Sequence, residues 1–135
     1  MTSAGKLLLL LAVASVLSCG DTSGPPAPTP GTLLLHLTTP HDDDAALLLH
    51  LTGPSIAPPS VAAATGAQQL FAQAATGGGV NVALFGSLGA GPLLRMQVPD
   101  VSRASEYRVT VLEAADSSNA LRAGVSGYSG QFVKD

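Results

Sequence analysis

His36, His41 and His50 are the three histidines of this chain, and Asp42, Asp43 and Asp44 lie among them. Neutral imidazole is a good ligand for Zn²⁺ or Cu²⁺, and nearby carboxylates can complete such a site. A pair formed by His36 and His50, with Asp42, Asp43 and Asp44 adding ligands, would make this a small metal-handling protein. The aspartate triplet lacks the spacing of an EF-hand loop, which needs a glycine at its turn and a closing glutamate. The plainer reading is two polar residues on the solvent side of a strand and a solvated acidic loop. That reading is preferred, so no metal and no cofactor is expected.

Other chemistry is poorly supported. Gly86-Ser87-Leu88-Gly89-Ala90-Gly91 has no lysine to hold phosphate and runs into Pro92 rather than a helix. In Gly124-Val125-Ser126-Gly127-Tyr128, Tyr128 stands where a nucleophile elbow needs its second glycine. No nucleophile, base and orienting group come together in the sequence. The chain reads as a non-enzyme.

A repeat positions the histidines. Leu33-Leu34-Leu35-His36-Leu37-Thr38 recurs as Leu47-Leu48-Leu49-His50-Leu51-Thr52, with Pro40 and the aspartates between. The spacing predicts two strands joined by a loop. Paired as a hairpin about Asp42, they set Leu35 opposite Leu49 and His36 opposite Leu48. Leu33, Leu35, Leu37, Leu47, Leu49 and Leu51 then share the core face, and Leu34, His36, Leu48 and His50 share the other. Strands apolar on both sides need something on the second side. Either the Ala-rich segment 61–75 covers it, or Leu34, His36, Leu48 and His50 form an exposed binding patch.

Further strands are predicted at 68–73, 80–85, 92–98, 107–112 and 121–133, separated by Gly and Pro turns. Val80, Val82 and Leu84 alternate cleanly, and the glycines of the last stretch imply a bulge. The fold class is all-β: a small antiparallel β-sandwich of about six to eight strands. Its rhythm of short strands and turns resembles cohesin-like and immunoglobulin-like modules of exported bacterial proteins. That resemblance implies architecture and no activity.

The chain's start reads as an address. Lys6 precedes an apolar run over 7–17, too short for the ~20 residues that cross a bilayer as a helix. A charged start, a short greasy centre and small residues at the exit mark an export signal. Val16-Leu17-Ser18-Cys19 resembles the lipobox of bacterial lipoproteins, although Leu17 and Val16 depart from the commoner residues there. The resemblance implies cleavage before Cys19, a diacylglyceryl group on its thiol and a further acyl chain, such as palmitate, on the new N-terminus. Gly20, where an aspartate signals inner-membrane retention in that family, implies the outer membrane in a cell with two. The alternative is ordinary cleavage after Ala12-Val13-Ala14, which leaves Cys19 a free thiol.

Residues 1–18 are thus read as signal peptide, 19–31 as lipidated cysteine and linker, and 32–135 as the sandwich. Pro25, Pro26, Pro28 and Pro30 make the linker an extended tether of ~3.1 Å per residue. The full chain carries a formal net charge of −3, and loss of Lys6 with the signal makes the remainder more acidic. Such a chain lacks the basic stripe that nucleic acids attract. With 1 cysteine there is no intrachain disulfide, and the absence of tryptophan weakens an aromatic glycan platform. The function expected is a structural or interaction module for an envelope protein or glycan, held to the membrane by its lipid. Metal handling through His36 and His50 is the runner-up.

Overall fold

The two copies of the leucine repeat form β1 (Gly31–Thr38) and β2 (Asp44–Thr52), but they do not pair with each other. In the computed structural model, which describes residues 20 and 24–135, each copy lies inside a different sheet. The remaining strands are β3 (Val61–Ala63), β4 (Gln69–Ala74), β5 (Val80–Phe85), β6 (Gly91–Val98), β7 (Arg108–Asp116) and β8 (Ser129–Lys134). One sheet runs β3-β6-β1-β8 and the other β4-β5-β2-β7, with every strand pair antiparallel. The fold is a small two-sheet β-sandwich of eight strands, not a closed barrel.

The expected hairpin is therefore corrected, and the reason is burial. A leucine face needs an opposing apolar layer, which a hairpin lying in one sheet does not supply. Placing β1 and β2 at the same position in stacked sheets turns Leu33, Leu35 and Leu37 inward from one side. Leu47, Leu49 and Leu51 turn inward from the other, and all six are buried. The leucines assigned to the core are the core residues; only their pairing differs. Each fully buried leucine contributes roughly 1.5–3 kcal/mol of transfer free energy. Val80, Val82 and Leu84 of β5 and Leu93, Leu94 and Met96 of β6 complete the layer.

Among the described residues, only β4 and β5 are consecutive strands of one sheet; elsewhere the chain crosses from sheet to sheet. One crossing is fastened by Tyr107, whose hydroxyl donates to the Pro54 carbonyl at 2.8 Å while its ring meets Phe132 edge-on. Gly53 (φ +153°) lies against that ring, and a Cβ there would run into it. The Ala-rich segment covers neither outer face. After a 3₁₀ turn at Pro58–Ser60 it supplies β3 and β4, the margins of the two sheets. The last predicted strand is shorter than expected: residues 122–128 form a loop, and the ladder resumes at Ser129.

Candidate functional site

The outer faces of the two sheets differ in kind. On the β3-β6-β1-β8 sheet, Leu34 lies half-buried between Arg95 and Val133. His36 is exposed between Pro92 and Gln131, and Thr32 accepts a hydrogen bond from the Gln97 amide at 2.9 Å. Arg95 forms an ion pair with Asp135. This face mixes polar side chains, two pairs of them bonded, with part-buried Leu34 and Val133, and among the described residues it exposes no large hydrophobic.

The outer face of the β4-β5-β2-β7 sheet is apolar. Leu48 sits at its middle, opposite Ala83 on β5 and Glu113 on β7. Phe71 of β4 and Phe85 of β5 meet edge to face with ring centroids 6.1 Å apart. A bulge in β7 between the partners of Leu48 and Leu49 turns Leu112 outward as an extra residue. Beyond β7, Leu121 is bridged to Ala115. Among the described residues, the exposed large hydrophobics are Phe71 (63%), Phe85 (44%), Leu112 (44%) and Leu121 (70%), all on this sheet.

Two recesses flank Leu48. One, of about 220 Å³, is walled by Ala46, Phe85, Ala115 and Leu121, with Glu113 at its side. The other, of about 210 Å³, lies between Leu48, Phe71, Gln73 and Asn81. His50 closes the polar rim, its Nδ1 2.8 Å from Oδ1 of Asn81. Knobs and hollows on one apolar sheet face are suited to packing against another apolar surface.

The structure divides the sequence-derived patch. Leu34 and His36 face outward from one sheet, Leu48 and His50 from the other, with the sandwich core between. His36 and His50 cannot share an ion: sheets stack ~10 Å apart and these side chains point in opposite directions. The hairpin register that made them neighbours does not exist. Among the described residues, no three His, Cys, Asp or Glu side chains are grouped to hold a metal ion. Cys19, the expected lipid site, lies outside the described residues.

The aspartate triplet is divided too. Asp42 and Asp43 are exposed, whereas Asp44 is 2% exposed. Its carboxylate accepts from Thr39 Oγ1 at 3.0 Å, from the Tyr128 hydroxyl at 2.8 Å, and from Arg122 Nε and Nη2 at 3.0 and 2.9 Å. Those four bonds fill the acceptor capacity of a carboxylate. Arg122 also contacts Asp43, and Asp116 lies at 3.9 Å. Hydrogen bonds from Arg122 to Asp43 and then Asp44 hold its guanidinium above the ordinary arginine value, against the opposing effect of burial. Burial first, and then the bond to Asp44, raises the Tyr128 phenol. His41 packs beside that ring, centroids 5.9 Å apart.

Arg122 and Tyr128 are the residues that sequence reasoning missed here. Both lie in the stretch read as continuous strand, and their partner is 78 and 84 residues away. The cluster also positions the apolar face. Arg122 donates its main-chain N–H to the Ala114 carbonyl at 2.8 Å, which holds adjacent Leu121 over the sheet.

No protein-family model, curated protein or solved structure matches this chain.

Proposed function

We propose that this chain is an exported, lipid-anchored interaction module of the bacterial envelope. Cys19 carries the lipid, the proline-rich segment lifts the sandwich off the membrane, and the outer face of the β4-β5-β2-β7 sheet takes a protein partner. The observation that carries this reading is the asymmetry of the two faces. Among the described residues, one sheet's outer side exposes no large hydrophobic, while the other exposes Phe71, Phe85, Leu112 and Leu121, with Phe71, Phe85 and Leu121 lining two recesses. Contiguous apolar surface rimmed by polar groups is a recurrent mark of interaction sites. An apolar protein segment suits it better than a glycan. The two phenylalanine rings are 71° apart rather than coplanar, so they form no flat platform for a sugar ring.

The test has two parts. Cells expressing the full chain are fed a fatty-acid analogue; labelling is expected for the native chain and lost in Cys19→Ser. The same membranes are then treated with a cross-linker. A cross-linked species present with the native chain should vanish for Leu121→Asp and persist for His36→Asp on the opposite face. Loss with both variants, or with neither, would remove the apolar face from the account.

A further inference from the structure

The sandwich has four margins: β3 and β8 bound one sheet, β4 and β7 the other. An edge strand offers unpaired N–H and C=O groups to any passing strand, so proteins blunt such edges with shortness, charge, proline or bulges. β3 is three residues long. β7 is bulged at Leu112 and carries Arg108, Glu113 and Asp116. β8 bears Lys134. β4 carries none of these in its own sequence; the Pro58–Ser60 turn and β3 pack near it but make no backbone hydrogen bond to it.

β4 reads Gln69-Leu70-Phe71-Ala72-Gln73-Ala74, six residues with no charge and no proline. Its ladder with β5 runs without a slip from Gln69 opposite Phe85 to Ala74 opposite Val80. Among the described residues, no backbone hydrogen bond reaches β4 from any segment other than β5. The bond from the Ala75 N–H to the Gly79 carbonyl, 3.0 Å, sets the phase of this hairpin. Alternation then turns the main-chain groups of Gln69, Phe71 and Gln73 towards β5. Those of Leu70, Ala72 and Ala74 face the open edge.

We infer that β4 is a dimerisation edge: it pairs antiparallel with β4 of a second copy, about a twofold axis at Phe71. This goes beyond the apolar face, because it uses the margin of the sheet and not its surface. The occupant follows from the sequence of the strand. Reversed against itself about Phe71, β4 sets Gln69 of each copy opposite Gln73 of the other, and Leu70 opposite Ala72. Leu70 and Ala72 both present free main-chain groups, so they form the hydrogen-bonded pairs. Phe71 meets Phe71 at the non-hydrogen-bonded position, where Cα atoms approach to ~4.5 Å and side chains interact most closely. Amide meets amide and apolar meets apolar, and no charge is left seeking a counter-ion on a foreign chain. The pairing also joins the two apolar sheet faces into one surface across Phe71.

Two measurements test the register. The full chain with Phe71→Cys, mildly oxidised in the cell fraction that holds it, should form a disulfide-linked dimer, since ~4.5 Å lies within disulfide reach. Phe85→Cys, one strand further in on the same face, should stay monomeric. No cross-link from position 71, or equal cross-linking from position 85, overturns strand pairing. Because Phe71→Cys removes a packing group, exposed positions supply the second test, by sedimentation of the purified full chain. Gln69→Lys with Gln73→Lys sets like charges opposite each other in both pairs and should weaken the dimer about tenfold. Gln69→Lys with Gln73→Glu sets opposite charges there and should restore it. A native chain that is monomeric at every concentration, or two variants that behave alike, would refute this register.

Discussion

Asp44 and Leu121 depart from the usual partition of side chains in opposite directions: a carboxylate 2% exposed and a leucine 70% exposed. The difference lies in what surrounds them. Asp44 has a partner for every acceptor site, supplied by Thr39, Tyr128 and Arg122. Leu121, with Phe71, Phe85 and Leu112, lies on a face to which the rest of the sandwich offers no cover. A departure fully answered within the chain is architecture: here it fastens the corner where β1 crosses into β2. A departure left unanswered points outward, to a second molecule. The two are coupled, because the loop that brings Arg122 to Asp44 also lays Leu121 over the sheet.

The largest effect expected is from breaking the buried cluster. Asp44→Ala strips the Tyr128 hydroxyl and Thr39 of their acceptor and leaves Arg122 only Asp43 and Asp116, and should cost on the order of 3 kcal/mol, read by chemical denaturation. It should also loosen Leu121 and so impair partner capture along with stability. An unchanged denaturation midpoint would show that the cluster is not what fastens the corner.

A smaller and more discriminating effect is expected from the paired leucines of the repeat. Leu34→Thr and Leu48→Thr remove the same atoms from half-buried positions on opposite outer faces. Each keeps β propensity and should lower stability by a similar, modest amount, about 1 kcal/mol. Only Leu48→Thr should weaken binding, since Leu48 separates the two recesses while Leu34 lies between Arg95 and Val133. Equal binding by both variants would erase the contrast between the faces.

That pairing of leucines shows where the sequence was legible. Alternation identified which leucines are core and which face outward, because side-chain direction in a strand depends only on local phase. It did not say which strands pair, since a hairpin and two stacked strands impose the same pattern. The burial of Asp44 was hidden because its partners are remote in sequence; three adjacent aspartates after Pro40 read as solvated. The apolar face left two local traces, outward-facing Leu48 in the repeat and Phe85. Phe85 is out of phase with Val80, Val82 and Leu84 in the strand already recognised there. The strands at 68–73, 80–85 and 92–98 were placed to within a residue, but β3 was not expected, β7 runs four residues past 112, and 121–128 lacked any signal separating a looped stretch from a bulged strand.

The smallest effect concerns pH. Hydrogen bonds from the Ser118 hydroxyl, then from the Ala120 and Ser118 amides, hold the Asp116 carboxyl below the ordinary carboxylate range. A group with a depressed folded pKa contributes stability that is present above its unfolded value of about 3.9 and is lost as pH falls through the folded value. Asp116→Asn should therefore flatten the acid side of the stability profile slightly and leave neutral pH binding alone. A steeper acid limb in that variant would reverse the sign of this contribution.

The central claim is that the face around Leu121 is open in the isolated protein and covered in the cell. It is tested most directly by maleimide labelling of full-chain Leu121→Cys and Gln131→Cys, each compared as purified protein and in intact envelope. Leu121→Cys should label readily when purified and poorly in the envelope, while Gln131→Cys, exposed on the other sheet, should label equally in both. Equal labelling of Leu121→Cys in the two settings would contradict the account, because a working surface that nothing covers in place is no interface.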